Sequence, residues 1–340
     1  MSELDPQQVF AWLSKSVPEF PEIRSIDKFP GGQSNPTYRL DTDKSSFVLR
    51  RKPFGNLLPS AHAVDREFRL LSALYPTGFP VPRPVALCED PSVIGSVFYV
   101  MDMVAGRTFW NGALPELPKA ERRPHYEAMV DTLAQLHNIN HVSIGLESFG
   151  RPGNYFQRQV ERWTKQYRAA QTDEIVEIEK LIEWLPRTIP DQSRTSIIHG
   201  DYRIDNIIYT DGRPEVAAIL DWELATIGDP LADFAYLAMN WAMAADGRSG
   251  LLGLDLEAEG LPSLDDMVAR YCAATARDRL PDLHWYFAYN LFRLAGIVQG
   301  IKKRMLEGNA SSQDAASAAA KVIPLAQAAW AQARSAGAAN

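Results

Sequence analysis

Apolar and polar positions follow one rhythm in the first third of this chain and another after about residue 105. Asp5-Pro6 reads as a helix N-cap followed by proline at the first helical position, and Val9, Trp12 and Leu13 continue at helical spacing. β-like runs are expected over 23–29, 37–41 and 47–51. Ser60 can cap a helix reaching about Tyr75, with an apolar stripe of Val64, Phe68, Leu71 and Tyr75. Two more strands are expected around 85–88 and 96–103, after the Pro-rich segment 79–84.

Beyond Ala105-Gly106-Arg107 helical periodicity takes over, at 126–137, 155–170, 174–185, 231–244, 264–276 and 285–305. The exception is a set of short strands at 196–198, 207–209 and 216–220, with Asp211-Gly212 as a tight-turn signal. The Ala-rich stretch 311–336 reads as a helix with a frayed end. The pattern predicts an α+β protein with a small strand-rich N-lobe, 1–104, and a larger, mainly helical C-lobe, 105–340. A cleft between the lobes is the expected ligand site.

Composition narrows the partners. The 340 residues are 46% hydrophobic with a formal charge of −7, and no Lys/Arg block runs along the chain, so nucleic acid is a poor fit. No apolar run approaches the ~18 residues that span a membrane. The acidic start Met1-Ser2-Glu3-Leu4-Asp5 does not read as a signal peptide. Cys88 and Cys272 are far apart in apolar surroundings and read as buried free thiols in a reducing compartment. The expectation is a cytoplasmic protein.

The chemistry concentrates in Ile197-Ile198-His199-Gly200-Asp201-Tyr202-Arg203-Ile204-Asp205-Asn206 and in Leu220-Asp221-Trp222-Glu223. Carboxylate, carboxamide, carboxylate at this spacing is what phosphoryl transfer from a nucleotide uses, as in kinase catalytic loops. Asp201 would orient the incoming hydroxyl and accept its proton. Asn206 and Asp221 would offer hard oxygen ligands to Mg²⁺. Glu223 could join them, since strand alternation puts it on the face of Asp221. His199 reads as a loop-shaping residue, and His137 and His141 as structural.

Gly31-Gly32-Gln33-Ser34-Asn35 lies between two expected strands and could cover nucleotide phosphates with its backbone N–H groups and the Ser34 hydroxyl. The next strand ends in Arg50, Arg51 and Lys52, and the following helix carries Glu67 about 60° off its apolar stripe. A cation on the strand paired with that carboxylate would fix a phosphate contact, as kinases do. No Gly-x-x-x-x-Gly-Lys-Ser/Thr, Gly-x-Ser-x-Gly, His-Glu-x-x-His or Cys-x-x-Cys motif is present.

His199-Gly200-Asp201 with Asn206, then Asp221-Trp222-Glu223, then Gly228-Asp229-Pro230-Leu231-Ala232-Asp233, resembles the aminoglycoside phosphotransferase/choline kinase family. So do Gly31-Gly32-Gln33-Ser34-Asn35, Val81-Pro82-Arg83-Pro84 and Leu133-Ala134-Gln135-Leu136-His137. Val48-Leu49-Arg50-Arg51-Lys52-Pro53, Leu58-Pro59-Ser60-Ala61-His62 and Arg162-Trp163-Thr164-Lys165-Gln166-Tyr167 are similar to the branch associated with acyl-CoA dehydrogenases.

The resemblance implies a bilobal protein-kinase-like fold using ATP and Mg²⁺. Gly31, Gly32, Ser34, Asn35, Arg50 and Glu67 would serve the nucleotide. Backbone groups of Asp102 and Met103 would meet the adenine edge, and Asp233 would brace the catalytic loop. The acceptor would be a small-molecule hydroxyl, such as that of a hydroxyacyl-CoA, with a functional link to an acyl-CoA dehydrogenase. Tyr202, Arg203, Trp222, Asn240 and Trp241 are the acceptor-side candidates. Alternatives are an aminoglycoside acceptor, or a non-catalytic nucleotide-binding protein. One departure stands out: Arg50 occupies the position of the usual strand lysine, and a guanidinium fork is not an ammonium point charge.

Overall fold

The computed structural model describes residues 4–30, 35–54, 63–308 and 315–339. In chain order the elements are α1 (Pro6–Ser16), β1 (Ile23–Lys28), β2 (Thr37–Thr42), β3 (Ser46–Arg51), α2 (Val64–Leu74), β4 (Pro84–Cys88), β5 (Phe98–Asp102) and α3 (Lys119–Asn138). There follow α4 (Tyr155–Ala170), α5 (Val176–Trp184), β6 (Ser196–Ile198), β7 (Ile207–Tyr209), β8 (Val216–Ile219) and β9 (Thr226–Gly228). The chain ends in α6 (Leu231–Ala238), α7 (Leu264–Ala274), α8 (His284–Leu306), α9 (Ala315–Ala320) and α10 (Val322–Ser335).

The chain forms two compact units. The first runs to Phe109 and also takes Asn140–Glu147 and Ile204–Ala225; the second takes Trp110–Ile139, Ser148–Arg203 and the chain from Thr226. The β7–β8 hairpin joins the first unit because Arg107 and Tyr209 exchange two backbone hydrogen bonds of 2.8 Å, and Ile219 N–H donates to the Pro80 carbonyl at 2.9 Å.

In the first unit, five antiparallel strands lie in the order β1-β2-β3-β5-β4. Alternation along β3 sorts its side chains: Phe47 and Leu49 enter the core with Val9 and Leu13 of α1, while Val48 and Arg50 face a cavity. The α1 cap forms as its sequence predicts, with Gln7 N–H donating to Asp5 Oδ1 at 2.9 Å. The buried face of α2 is Val64, Glu67, Leu70, Leu71 and Leu74. Tyr75, expected on the apolar stripe, is instead exposed. The stripe is rotated, and Glu67 stands inside it rather than at its edge. Ser60 lies outside the described residues.

The second unit is mainly helical. α8 packs against α4, α6 and α10, and α3 packs against α7. The helix α3 begins at Lys119, well before the expected start at 126, and carries Pro124 within it. Proline and a polar first turn disguised that start. The helix expected over 231–244 becomes 3₁₀ after Ala238. The C-terminal alanines form two helices separated at Lys321, because the Pro324 ring excludes the Ala320 carbonyl from a continuous helix. β6 pairs with β9, not with β7, and β7 pairs with β8. Among the described residues no helix is long and apolar enough to cross a membrane.

Candidate active site

In the first unit Arg50 is the centre of a buried cation–carboxylate cluster. Its Nε lies 3.0 Å from Glu67 Oε2, and its Nη2 lies 2.7 Å from Asp221 Oδ1 and 3.6 Å from Glu223 Oε2. Glu67 is 2% exposed, and both of its oxygens are used. Asn35 Nδ2 donates to Oε1 at 3.0 Å, and the Tyr99 hydroxyl donates to Oε2 at 3.0 Å. Lys52 turns to Asp65 at 2.8 Å, so Arg50 is the strand residue that meets the helix carboxylate. Burial beside Asp221 and Glu223 pushes the Glu67 carboxyl up to about 7, against the pull of Arg50 and Tyr99. Burial works against the Arg50 charge, but Glu67, Tyr99 and Asp221 more than offset it and hold the guanidinium firmly protonated.

Asp221 follows β8 in a left-handed conformation, φ 62° and ψ 61°. L-residues rarely adopt it, and such strain concentrates at functional positions. Glu223 reaches the cluster from the 3₁₀ turn Trp222–Leu224, not from a continued strand. Asn206 is buried, and its carbonyl accepts the Leu220 N–H at 2.8 Å, which fixes the residue before Asp221. Among the described residues no three His, Cys, Asp or Glu side chains form a metal cage. The set here is two carboxylates and a carboxamide, which suits a hard cation that keeps water and phosphate oxygens as ligands. Asp221 and Glu223 already converge on one cationic group, the Arg50 guanidinium.

A cavity of about 260 Å³ opens beside this cluster. Val48, Leu71, Met101, Val104, Ile208 and Ile219 give it apolar walls, with Arg50, Glu67 and Asp221 as its polar part. Phe29 and Thr37 also line it. Gly31, Gly32 and Ser34, expected at the phosphates, lie outside the described residues. Asn35 is placed on Glu67, with its amide already committed there. Met103 and Asp102 line the cavity, but their N–H groups donate to Ser46 O at 3.2 Å and to Arg83 O at 2.9 Å. The Asp102 carboxylate makes a two-pronged pair with Arg83 at 2.8 and 2.9 Å.

In the second unit the loop after β6 is held at almost every polar atom. Asp233 accepts the His199 N–H at 2.6 Å and the Gly200 N–H at 2.8 Å. Burial pushes the Asp233 carboxyl up, but hydrogen bonds from His137 and the loop amide outweigh it and keep it below the usual range. Burial keeps His137 neutral; its Nδ1 meets the Tyr271 hydroxyl at 2.7 Å and its Nε2 lies 3.4 Å from Asp233. Asp201 N–H donates to His199 Nδ1 at 3.2 Å, so His199 shapes the loop, as its position in the sequence suggests. The Asp201 carboxylate lies 3.3 Å from Arg203 Nε. A carboxylate so placed can orient a hydroxyl and take its proton.

The acceptor-side candidates divide. Arg203 is at Asp201. Tyr202 is fully buried and its hydroxyl donates to the Met129 carbonyl at 2.8 Å, so it braces α3 and offers no surface. Trp241 is buried with Nε1 on the Pro262 carbonyl at 3.0 Å, and Asn240 is buried beside it. Both were expected to face a ligand on a helix; the 3₁₀ turn Met239–Ala242 turns them inward. Trp222 belongs to the first unit, where it lines the cavity with Nε1 on the Ile219 carbonyl at 2.9 Å. Two residues the sequence did not single out are Tyr236 and Arg293. Arg293, a lone cation in the apolar run of α8, was the readable signal.

Residues 25–280 match the phosphotransferase enzyme family (APH). The chain is 41% identical over 331 residues to human acyl-CoA dehydrogenase family member 11, covering 96% of this chain and 42% of that protein. It is 42% identical over 305 residues to mouse acyl-CoA dehydrogenase family member 10, covering 89% of this chain and 28% of that protein. The chain thus spans less than half the length of these relatives. The crystal structure of a candidate aminoglycoside phosphotransferase from Ralstonia eutropha JMP134 superposes with TM-score 0.89 at 42% identity, covering 98% of this chain and 99% of that one. Spectinomycin phosphotransferase, in complex with ADP and spectinomycin, superposes with TM-score 0.63 at 12% identity over 98% of this chain and 100% of that one, a likeness of fold. The fold is the α+β kinase-like one, and the chain belongs to the phosphotransferase enzyme family.

Proposed function

We propose that this chain is an ATP- and Mg²⁺-dependent O-phosphotransferase acting on a small-molecule hydroxyl. The observation that carries the reading is Arg50, held at once by Glu67 and by an Asp221 whose backbone is left-handed. A strand cation fixed by a helix carboxylate, next to a strained aspartate at the end of a strand, is the apparatus that grips a nucleotide triphosphate. The apolar cavity beside it, lined by Asp102 and Met103, takes the base and sugar. Asp221, Glu223 and Asn206 would hold Mg²⁺, which when bound neutralises charge on the phosphate oxygens.

Asp201 receives the proton of the acceptor hydroxyl as its oxygen bonds to the γ-phosphorus and the bond to the bridging oxygen breaks. Arg50 contributes positive charge at the phosphates, and the rigid loop around Asp201 contributes position. Arg203 beside Asp201 suits an anionic or acyl-bearing alcohol better than a polycation. That supports a hydroxyacyl-CoA or related metabolite as acceptor, and the relatives named as acyl-CoA dehydrogenase family members support a functional link to such an enzyme.

Nucleotide binding is tested by thermal shift. Mg-ATP raises the Tm of the wild type, and Asp221→Ala removes the magnesium-dependent part. An equal shift in both contradicts the metal assignment. A shift with no transfer to any hydroxyl favours a non-catalytic nucleotide-binding protein.

A further inference from the structure

Arg293 on α8 is a buried cation whose ordinary compensation is missing. It is 7% exposed, and no carboxylate lies within ion-pair distance of it among the described residues. Its Nη2 donates to the Gly200 carbonyl at 2.7 Å, and its guanidinium lies over the Tyr236 ring at 5.0 Å and the Trp163 ring at 5.5 Å. Its Nε has no hydrogen-bond partner. Burial works against this charge, but the facing tyrosines and Asp201 outweigh it and keep the guanidinium protonated.

Tyr236, on α6, connects this cation to the reacting loop. It is buried, its ring lies against Arg293, and the Asp201 charge acts on its hydroxyl. Burial, and then the Asp201 charge, push the phenol well above its usual range, so it remains a donor at every working pH. Asp233 on α6 holds the N–H groups of His199 and Gly200. The loop is thus gripped from two sides: Asp233 takes its amides, while Arg293, packed on the Tyr236 ring, takes the Gly200 carbonyl. Without the second grip, the 200–201 peptide could rotate about Gly200, whose φ is +85°.

We infer that Arg293 and Tyr236 are a positioning pair that clamps the Gly200–Asp201 peptide and aims the Asp201 carboxylate at the acceptor hydroxyl. The catalytic part of this statement rests on the phosphotransferase reading; the clamp itself does not. Tyr236→Phe removes one oxygen and no volume. Arg293→Met removes the donor and the charge, and Arg293→Lys restores a donor.

The test is hydrogen exchange on the intact chain, followed over residues 199–203, together with steady-state ADP release. Tyr236→Phe and Arg293→Met should speed exchange of the loop amides about tenfold, with the rest of α6 and α8 unchanged. They should lower kcat about 10–100-fold with the KM for Mg-ATP unaltered. Arg293→Lys should recover part of both effects. Loop exchange unchanged in Tyr236→Phe, or a kcat within twofold of wild type, overturns the inference. If Arg293→Met fails to fold, Tyr236→Phe decides alone. If the wild type transfers phosphate to nothing while loop exchange responds, the clamp stands and the phosphotransferase reading falls.

Discussion

Arg50 Nη2 stands 2.7 Å from Asp221 Oδ1 while its Nε holds Glu67 at 3.0 Å, so one guanidinium fork spans two carboxylates with different proposed duties. An ammonium is a compact point charge and lacks the planar fork whose separate nitrogens meet the two carboxylates here. Replacing Arg50 by Met should leave a buried Glu67 without a cation, at about 3–5 kcal/mol. Adding Glu67→Gln should recover much of that loss, with a coupling of about 2 kcal/mol in a denaturant double-mutant cycle. Additive single effects would show that the pair is not energetically linked.

The same cluster predicts a pH dependence. The folded Glu67 carboxyl, at about 7, lies above its ordinary value of 4.5, so the folded protein keeps a proton there that the unfolded chain releases. Its contribution to stability is complete below about 4.5 and is lost as pH rises through about 7. Glu67→Gln has no such proton to lose. In melts without nucleotide or metal, the Tm of Glu67→Gln minus that of wild type should therefore rise from pH 5 to pH 8, by the equivalent of up to about 3 kcal/mol. A flat or falling difference would contradict the assignment.

Asp233 should matter before any chemistry begins. Asp233→Asn substitutes an amide donor for one of the acceptors facing the His199 and Gly200 N–H groups, which lie 2.6 and 2.8 Å away. A buried amide left unpaired costs about 1–3 kcal/mol, and more where the lost partner was charged. Equilibrium unfolding should register a loss in that range. A variant as stable as wild type would mean that the loop finds another acceptor.

Gly106 is the backbone position most intolerant of a side chain in the segment after β5. Its φ is +147°, and a Cβ there would meet the Tyr209 carbonyl oxygen at 2.3 Å, where Arg107 and Tyr209 pair. Gly106→Ala should destabilise the protein by about 3 kcal/mol. Gly212→Ala, at φ +69° with open space around it, should cost only about 1–2 kcal/mol. Equal losses in thermal melts would contradict the steric account.

Much of this was legible because it is local. Strand alternation around Arg50 and the Asp5 cap each lie in a few consecutive residues, and the His199–Asp201–Asn206–Asp221 spacing lies in one continuous stretch of chain. What was not legible depends on distant packing. β9 is three residues long, and its pairing with β6 is decided by residues some thirty positions away. Tyr202, Asn240 and Trp241 have polar atoms that suit ligands, yet their polar groups or side chains are consumed in the interior. Tyr236 sits in a helix buried all round, where no amphipathic pattern marks one tyrosine over its neighbours.

The most direct measurement is ADP release from Mg-ATP across a panel of hydroxyl compounds, including hydroxyacyl-CoA thioesters and aminoglycosides, with Asp201→Ala run beside the wild type. At least one alcohol should stimulate ADP release and be recovered phosphorylated. Asp201→Ala should lose about 10³-fold in kcat, within the span of proton-transfer catalysis, while still gaining Tm from Mg-ATP. Wild-type rates in Asp201→Ala, or a wild type that phosphorylates no alcohol, would contradict the account.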